Sequence, residues 1–193
     1  QAAAALAAVR GLGPDAIDLI APAHGVVWRS HVADILDAYD GFTSGKLEEK
    51  AIVVYDSMWN STDLMARAVV DAFLAKGIPC QLMDLKVTHV SDCMDAFLDC
   101  KYVCVGSPTL NSQMLPTVAG FLTYMKGLSP KNADRVGLAF GSYGWAPRGP
   151  NNVEKAMEEA GFQMPAGKAI TVNWIPDQAI LDETKAKVEA FIG

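Results

Sequence analysis

A chain of 193 residues with 51% hydrophobic content can bury a full core, and length alone suggests one domain of ~150 residues plus a remainder. Its net charge of −6, its sequence pI of about 5.0 and the lack of any Lys/Arg cluster longer than a pair exclude a nucleic-acid or anionic-membrane surface. No apolar run approaches the ~20 residues that span a bilayer, and the start lacks a basic leader, so the reading is a soluble cytoplasmic chain whose partners are small molecules or proteins.

Residues 1–46 differ in pattern from the rest of the chain. Gln1 to Val9 is nearly all alanine and reads either as a helix or as a stretch without informative side chains. The one G-x-G-x-x-A match, Gly11 to Ala16, contains Pro14 and comes after this stretch instead of a strand, so it is discarded as chance. Ile17 to Ile20 is a short strand, and Ala21-Pro-Ala-His24-Gly25 is a turn that places a histidine at a strand end. Ser30 to Tyr39 has helical spacing at Val32, Ile35, Leu36 and Tyr39. These pieces are too few to close a core, and Gly41 to Glu49 has linker composition. A boundary therefore falls between 46 and 47, with 1–46 as the tail of a larger domain.

Ala51 to Tyr55 is a run of β-branched and apolar residues, and helical spacing begins at Leu64, Met65, Ala68 and Val69. Between them lie Ser57, Asn60, Ser61 and Thr62, where a loop meets the positive end of a helix whose first N–H groups lack intrahelical partners. Such a loop suits an anion. It contains no Lys or Arg, so a phosphate there would rely on backbone N–H groups, hydroxyls and the helix dipole. The bland alternative is an ordinary strand-to-helix turn with Ser61 or Thr62 as N-cap.

The helix from Thr62 runs to Lys76 and stops at Gly77, with Pro79 beyond. Cys80 to Asp84 is a second strand, Ser91 caps a helix through Leu98, and Lys101 to Gly106 is a third strand feeding the polar loop Ser107 to Gln113. Pro116 opens a helix ending at Gly127. Arg135 to Gly141 is a fourth strand, opening into a third loop, Ser142 to Pro150. Asn151 or Asn152 caps a helix to Ala160, Ala169 to Trp174 is the fifth strand, and Asp177 caps the last helix. The cysteines at 80, 93, 100 and 104 form no C-x-x-C pair and read as reduced core residues.

Five apolar strands alternating with five helices give an α/β fold, a doubly wound parallel sheet covered on both faces. Ligands of such sheets bind outside the carboxyl ends of the strands, at the switch in strand order. For an order 2-1-3-4-5, the loops after strands one and three flank that switch, and the loop after strand four lies beside them. The first loop offers phosphate donors, the second a proline-stiffened polar edge, and the third Tyr143 and Trp145 among glycines, which can stack on a flat ring. A phosphate at one end and a planar ring at the other fit flavin mononucleotide, FMN.

The segments Tyr-Asp-Ser-Met-Trp-Asn-Ser-Thr (55 to 62), Val-Gly-Ser-Pro-Thr-Leu-Asn (105 to 111) and Ala-Phe-Gly-Ser-Tyr-Gly-Trp (139 to 145) resemble the three flavin loops of the flavodoxin-like domain in flavodiiron proteins. Residues 20 to 29 resemble the end of the metallo-β-lactamase-like domain that precedes it there. The resemblance implies that 47–193 is a flavodoxin-like FMN domain and 1–46 a remnant of the diiron domain. It implies reduction of O2 to water, or of NO to N2O, with electrons passed by FMN from a donor protein such as rubredoxin. Head-to-tail homodimers or tetramers would bring one subunit's flavin to the other's irons. By position, Ser57, Met58, Asn60, Ser61 and Thr62 would hold the phosphate with Trp59 nearby. Ser107, Pro108, Thr109, Leu110 and Asn111 would run along the ring edge and ribityl chain, and Ser142, Tyr143, Gly144 and Trp145 would flank the ring. His24 would be the last histidine ligand of the irons.

The chain departs from that pattern in one respect. No H-x-E-x-D-H occurs, and His31 and His89 lack the context of a metal site. The chain as it stands therefore reads as a flavin domain without catalytic residues of its own; the diiron centre would require an upstream domain. Two rivals are a freestanding flavodoxin or flavin-dependent quinone reductase, which leaves 1–46 unexplained, and a signalling receiver. The receiver would want paired acids after strand one and an Asp after strand three, where this chain has only Asp56 and then Gly106-Ser107.

Overall fold

The computed structural model describes residues 1–13, 16–128 and 132–192; Pro14 of the discarded glycine match lies outside them. The chain divides into two compact units, residues 1–46 and 47–193.

The first unit holds two helices, α1 (Ala2–Arg10) and α2 (Val32–Ser44). Arg10 pairs with Asp37 at 2.5 Å and Asp40 at 2.6 Å across them. Among the described residues the short strand expected at Ile17 to Ile20 is not formed; a single antiparallel bridge joins Ile20 to Trp28. Gly41 to Ser44, expected as linker, instead closes α2, which stops at Gly45 in the left-handed region.

In the second unit the order of elements is β1 (Glu48–Tyr55), α3 (Ser61–Ala75), β2 (Cys80–Asp84), α4 (Val90–Phe97), β3 (Cys100–Gly106), α5 (Pro116–Leu128), β4 (Val136–Tyr143), α6 (Arg148–Glu159), β5 (Ile170–Asn173) and α7 (Gln178–Ile192). The strands form one parallel sheet in the order β2-β1-β3-β4-β5, as the alternation of elements predicts. Successive residues of a strand face opposite ways, and here both faces are covered. Ile52 and Val54, with Val103 and Val105, pack under α4, α5 and α6, whereas Ala51, Val53 and Tyr55, with Tyr102 and Cys104, pack under α3 and α7. Each fully buried Val, Leu or Phe in these layers contributes about 1.5–3 kcal/mol relative to exposure.

Several boundaries differ from expectation. Strand β1 starts at Glu48, inside the stretch expected as linker, because Glu48 pairs with Cys100 of β3. Ser142 and Tyr143 belong to β4, because β5 pairs with them at Val172 and Asn173. Helix α6 begins at Arg148, with Pro147 as N-cap, three residues before Asn151. Helix α4 is capped not by Ser91 but by His89, whose Nδ1 accepts from the Ser91 N–H at 3.2 Å. Asp177 does cap the last helix, accepting from the Ile180 N–H at 2.9 Å. All four cysteines are free thiols. Burial pushes Cys93 up to about 11 and Cys80 and Cys100 up to about 12, so none of these is a thiolate at neutral pH.

Candidate functional site

Because the strands are parallel, their carboxyl ends share one edge, and backbone bonds beyond the regular ladder carry the pairing into the loops. The Asp56 N–H donates to the Gly106 carbonyl at 3.2 Å, Ser107 N–H to Phe140 at 3.0 Å, Thr109 N–H to Ser142 at 3.1 Å and Trp174 N–H to Tyr143 at 2.8 Å. Four loops, after β1, β3, β4 and β5, are thereby stitched side by side.

The loop after β1 ends at Asn60, which sits in the left-handed region (φ 64°) and gives α3 no side-chain cap. The first N–H groups of α3 are therefore left for an external acceptor. Ser57 adds a second sign: its Oγ is buried and has no hydrogen-bond partner among the described residues. The loop is braced from behind. Buried Asp56 accepts from the Ser57 N–H at 2.6 Å and from Thr117 Oγ1 at 2.5 Å, and the Lys86 ammonium donates to the Ser57 carbonyl while lying 3.6 Å from Asp56. A cation thus stands at the loop after all, delivered from the β2–α4 connection. The other charge at this helix start, Asp63, pairs with Arg67 at 2.9 Å and accepts from the Tyr55 hydroxyl. Burial alone would raise the Asp63 pKa, but these two donors outweigh it and hold the carboxyl below the usual range; burial and Asp63 together push Tyr55 up.

In the second loop, Ser107 is fully buried and its hydroxyl serves the loop itself, donating to the Pro108 carbonyl and accepting from the Leu115 N–H, each at 2.9 Å. Thr109 ties this loop to the third: its hydroxyl donates to the Ala146 carbonyl at 3.1 Å and accepts from the Gly149 N–H at 2.9 Å. A Cβ at Gly149 would stand 2.2 Å from the Pro108 carbonyl oxygen, so only glycine permits this approach. Ser142 Oγ lies 3.2 Å from Thr62 Oγ1, joining the end of β4 to the start of α3.

These loops enclose a cavity of about 760 Å³, within the range of cofactor sites. The first loop lines it with Met58, Trp59 and Ser61, the second with Pro108, Thr109 and Asn111, and the third with Ser142, Tyr143, Gly144 and Trp145, all expected from sequence. Ser57, Asn60, Thr62, Ser107 and Leu110 do not line it: they build its walls or, for Leu110, pack against the core. His24 is exposed in the first unit, and among the described residues no group of three or more His, Cys, Asp or Glu could hold a metal. Sequence reasoning missed Ser112, Ala146, Arg148, Trp174 and Ile175. Arg148 is the only charged side chain in the lining and has no ion pair among the described residues. Of the five non-glycine residues with positive φ among the described residues, Asn60, Asn111, Ser112 and Trp174 are at this site, and only His31 is elsewhere. Such strain gathers where surrounding structure enforces it for function.

The fold and site define an α/β domain of the flavodoxin-like class, whose cavity is lined by the uncapped start of α3 and by aromatic rings from the loops after β1, β4 and β5. Residues 53–188 match the family model described as Flavodoxin, and the chain belongs to that family. It is 40% identical to a nitric oxide reductase of Moorella thermoacetica, over 83% of this chain and 40% of the relative. It is 36% identical to a rubredoxin-oxygen oxidoreductase of Megalodesulfovibrio gigas, over 94% of this chain and 44% of the relative. The crystal structure of the flavodiiron protein from Giardia intestinalis superimposes with a TM-score of 0.90 at 26% identity, over 98% of this chain and 46% of that one. The chain thus spans less than half the length of these relatives. The cofactor of this family is FMN, and the residues present fit it: uncapped N–H groups and the orphaned Ser57 hydroxyl suit a phosphate, and the glycine-flanked aromatics suit a ring.

Proposed function

We propose that residues 47–193 bind one FMN and pass electrons within a flavodiiron-type oxidoreductase that reduces O2, NO or both. The uncapped start of α3 beside the unpartnered Ser57 hydroxyl carries the reading, because a buried donor without a partner is costly unless a ligand completes it. Ser57, Ser61 and the N–H groups at 61 to 63 would hold the phosphate, with Asn60 setting the turn and Thr62 fixed on Ser142. Tyr143 and Trp145 would flank the ring, and Thr109 and Asn111 would meet its polar edge. Bound FMN supplies the one- and two-electron chemistry that no side chain here provides. This chain's own residues bind it, orient it and shield one side from water.

The names of the two relatives support O2 or NO as acceptor and a donor protein such as rubredoxin. His24 would then be one ligand of a diiron centre whose remaining ligands lie in sequence outside these 193 residues, and a head-to-tail homodimer would bring flavin and irons together. Four free thiols and the absence, among the described residues, of any helix long and apolar enough to cross a membrane support a cytoplasmic setting. Titrating the folded chain with FMN tests the cofactor: one equivalent should bind, with loss of flavin fluorescence. The double variant S57A/S61A should weaken FMN by about tenfold or more per hydroxyl and leave riboflavin, which has no phosphate, unaffected. Equal FMN affinity in parent and double variant would overturn the phosphate assignment.

A further inference from the structure

Trp174 is a bulky residue held in the left-handed region, at φ 61°, directly after β5. That conformation is a true outlier for such a side chain and persists only where neighbours enforce it. Here they do. The Trp174 N–H donates to the Tyr143 carbonyl at 2.8 Å, and the preceding side chain, Asn173, donates to the carbonyls of Tyr143 at 3.2 Å and Gly144 at 2.6 Å. The loop after β5 thus grips the backbone of the loop after β4. The ring of Trp174 then lies over Gly144, where an added Cβ would meet it at 3.0 Å, and against Trp145 in an edge-to-face pair, centroids 5.5 Å apart at 68°. Trp145 is 93% exposed, and Trp174 is the only ring it pairs with among the described residues. Both indoles line the cavity.

We propose that Trp174 is a positioning residue of the flavin site: it fixes the Tyr143–Trp145 backbone and holds the Trp145 ring, so that the ring end of the cavity is formed before ligand arrives. The strained backbone, the glycine beneath the indole and the edge-to-face pair are separate observations with one consequence. A ring held this way loses less freedom on binding than a free surface tryptophan would. The effect belongs to the isoalloxazine end of the ligand and is independent of its phosphate.

This inference rests on the flavin reading, and its test separates the two. FMN and riboflavin are titrated against the full 193-residue chain and its variants, with circular dichroism of the ligand-free proteins reporting the exciton signal of the coupled indoles. Trp174→Ala should weaken FMN and riboflavin by the same factor, about tenfold, and abolish the exciton signal, whereas Trp174→Phe, which keeps a ring in place, should bind close to the parent. Gly144→Ala, which leaves both indoles present but displaces Trp174, should also weaken both flavins equally and should alter the exciton signal. It carries the test if Trp174→Ala fails to fold. In a folded Trp174→Ala background Gly144→Ala should add nothing, because the clash it creates is with the missing indole. Parent-like affinity in Trp174→Ala or Gly144→Ala, loss of FMN alone, or additive effects of the two would overturn the positioning role. A parent that binds neither flavin would overturn the flavin reading and this inference with it.

Discussion

A serine hydroxyl buried without a partner lowers the stability of the ligand-free protein, and Ser57 is in that position at the head of the first loop. Ser57→Ala should therefore act with opposite signs in two measurements. Thermal unfolding of the ligand-free chain should rise by about 2–4 °C, for about 1 kcal/mol gained, while FMN affinity falls and riboflavin affinity holds. A variant that is less stable and binds FMN normally would assign the hydroxyl a structural role. Asp63 gives a pH-dependent counterpart. Its carboxyl is held below the usual range by Arg67 and Tyr55 despite the opposing effect of burial, so its stabilisation is complete above the unfolded-state value of about 3.9 and is lost as pH falls through the lower folded-state value. Urea unfolding as a function of pH should show Asp63→Asn to be less stable at neutral pH and less sensitive to acid than the parent. Ser57, Asn60 and Ser61 are legible in the sequence because a strand, a short polar loop and a helix start are local in the chain. Lys86 and Trp174 are not, because Lys86 comes from a connection with no polar signature and Trp174 reads as the last residue of a strand, while Arg148 lies within the third loop but carries no signal that it opens a helix at the cavity.

At the scale of elements, what decides a boundary is often a partner from elsewhere. The sequence alone ends strand β4 at the glycine-rich Gly141, but β5 pairs with Ser142 and Tyr143 and extends it. Helix α6 opens at Arg148 although Pro147, Gly149 and Pro150 read as loop. Prolines are tolerated in a first helical turn, where their missing N–H groups would have had no partner, and Gly149 is needed against Pro108. The end of α4 shows the same dependence. Its final carbonyls are taken by Arg135, a residue only 6% exposed, which donates to Leu98 at 2.8 Å and Phe97 at 3.3 Å, and also to Cys100 at the start of β3 at 3.2 Å, and lies 4.3 Å over the Phe97 ring. Arg135→Met keeps the packing volume and leaves those carbonyls without this donor. It should cost about 2–4 kcal/mol in urea unfolding with an unchanged slope, and leave FMN affinity intact, since none of these groups lines the cavity. A loss of less than about 0.5 kcal/mol, the ordinary scale of surface substitutions, would show that solvent replaces the guanidinium without cost.

For the molecule as a whole, the topology is legible because continuous apolar runs separated by helical patterns admit few arrangements other than a parallel sheet covered on both faces. Both core layers are built entirely from residues 51 to 192, every strand of the sheet lies after residue 47, and all four loops that enclose the cavity join elements of this same unit. The first unit has two helices joined by ion pairs of exposed Arg10, and among its described residues only Leu6 is buried. Exposed pairs of that kind contribute about 0–1 kcal/mol, so the first unit holds little stability of its own. A protein consisting of residues 47–193 should therefore fold cooperatively, melt within a few degrees of the full chain and bind FMN with the same affinity. The complementary peptide, residues 1–46, should show little fixed structure by circular dichroism. The comparison is made by calorimetry and flavin titration on the two lengths. If removing residues 1–46 lowers FMN affinity tenfold or abolishes cooperative unfolding, the flavin site depends on contacts from the first unit, and the assignment of the site to the second unit alone is wrong.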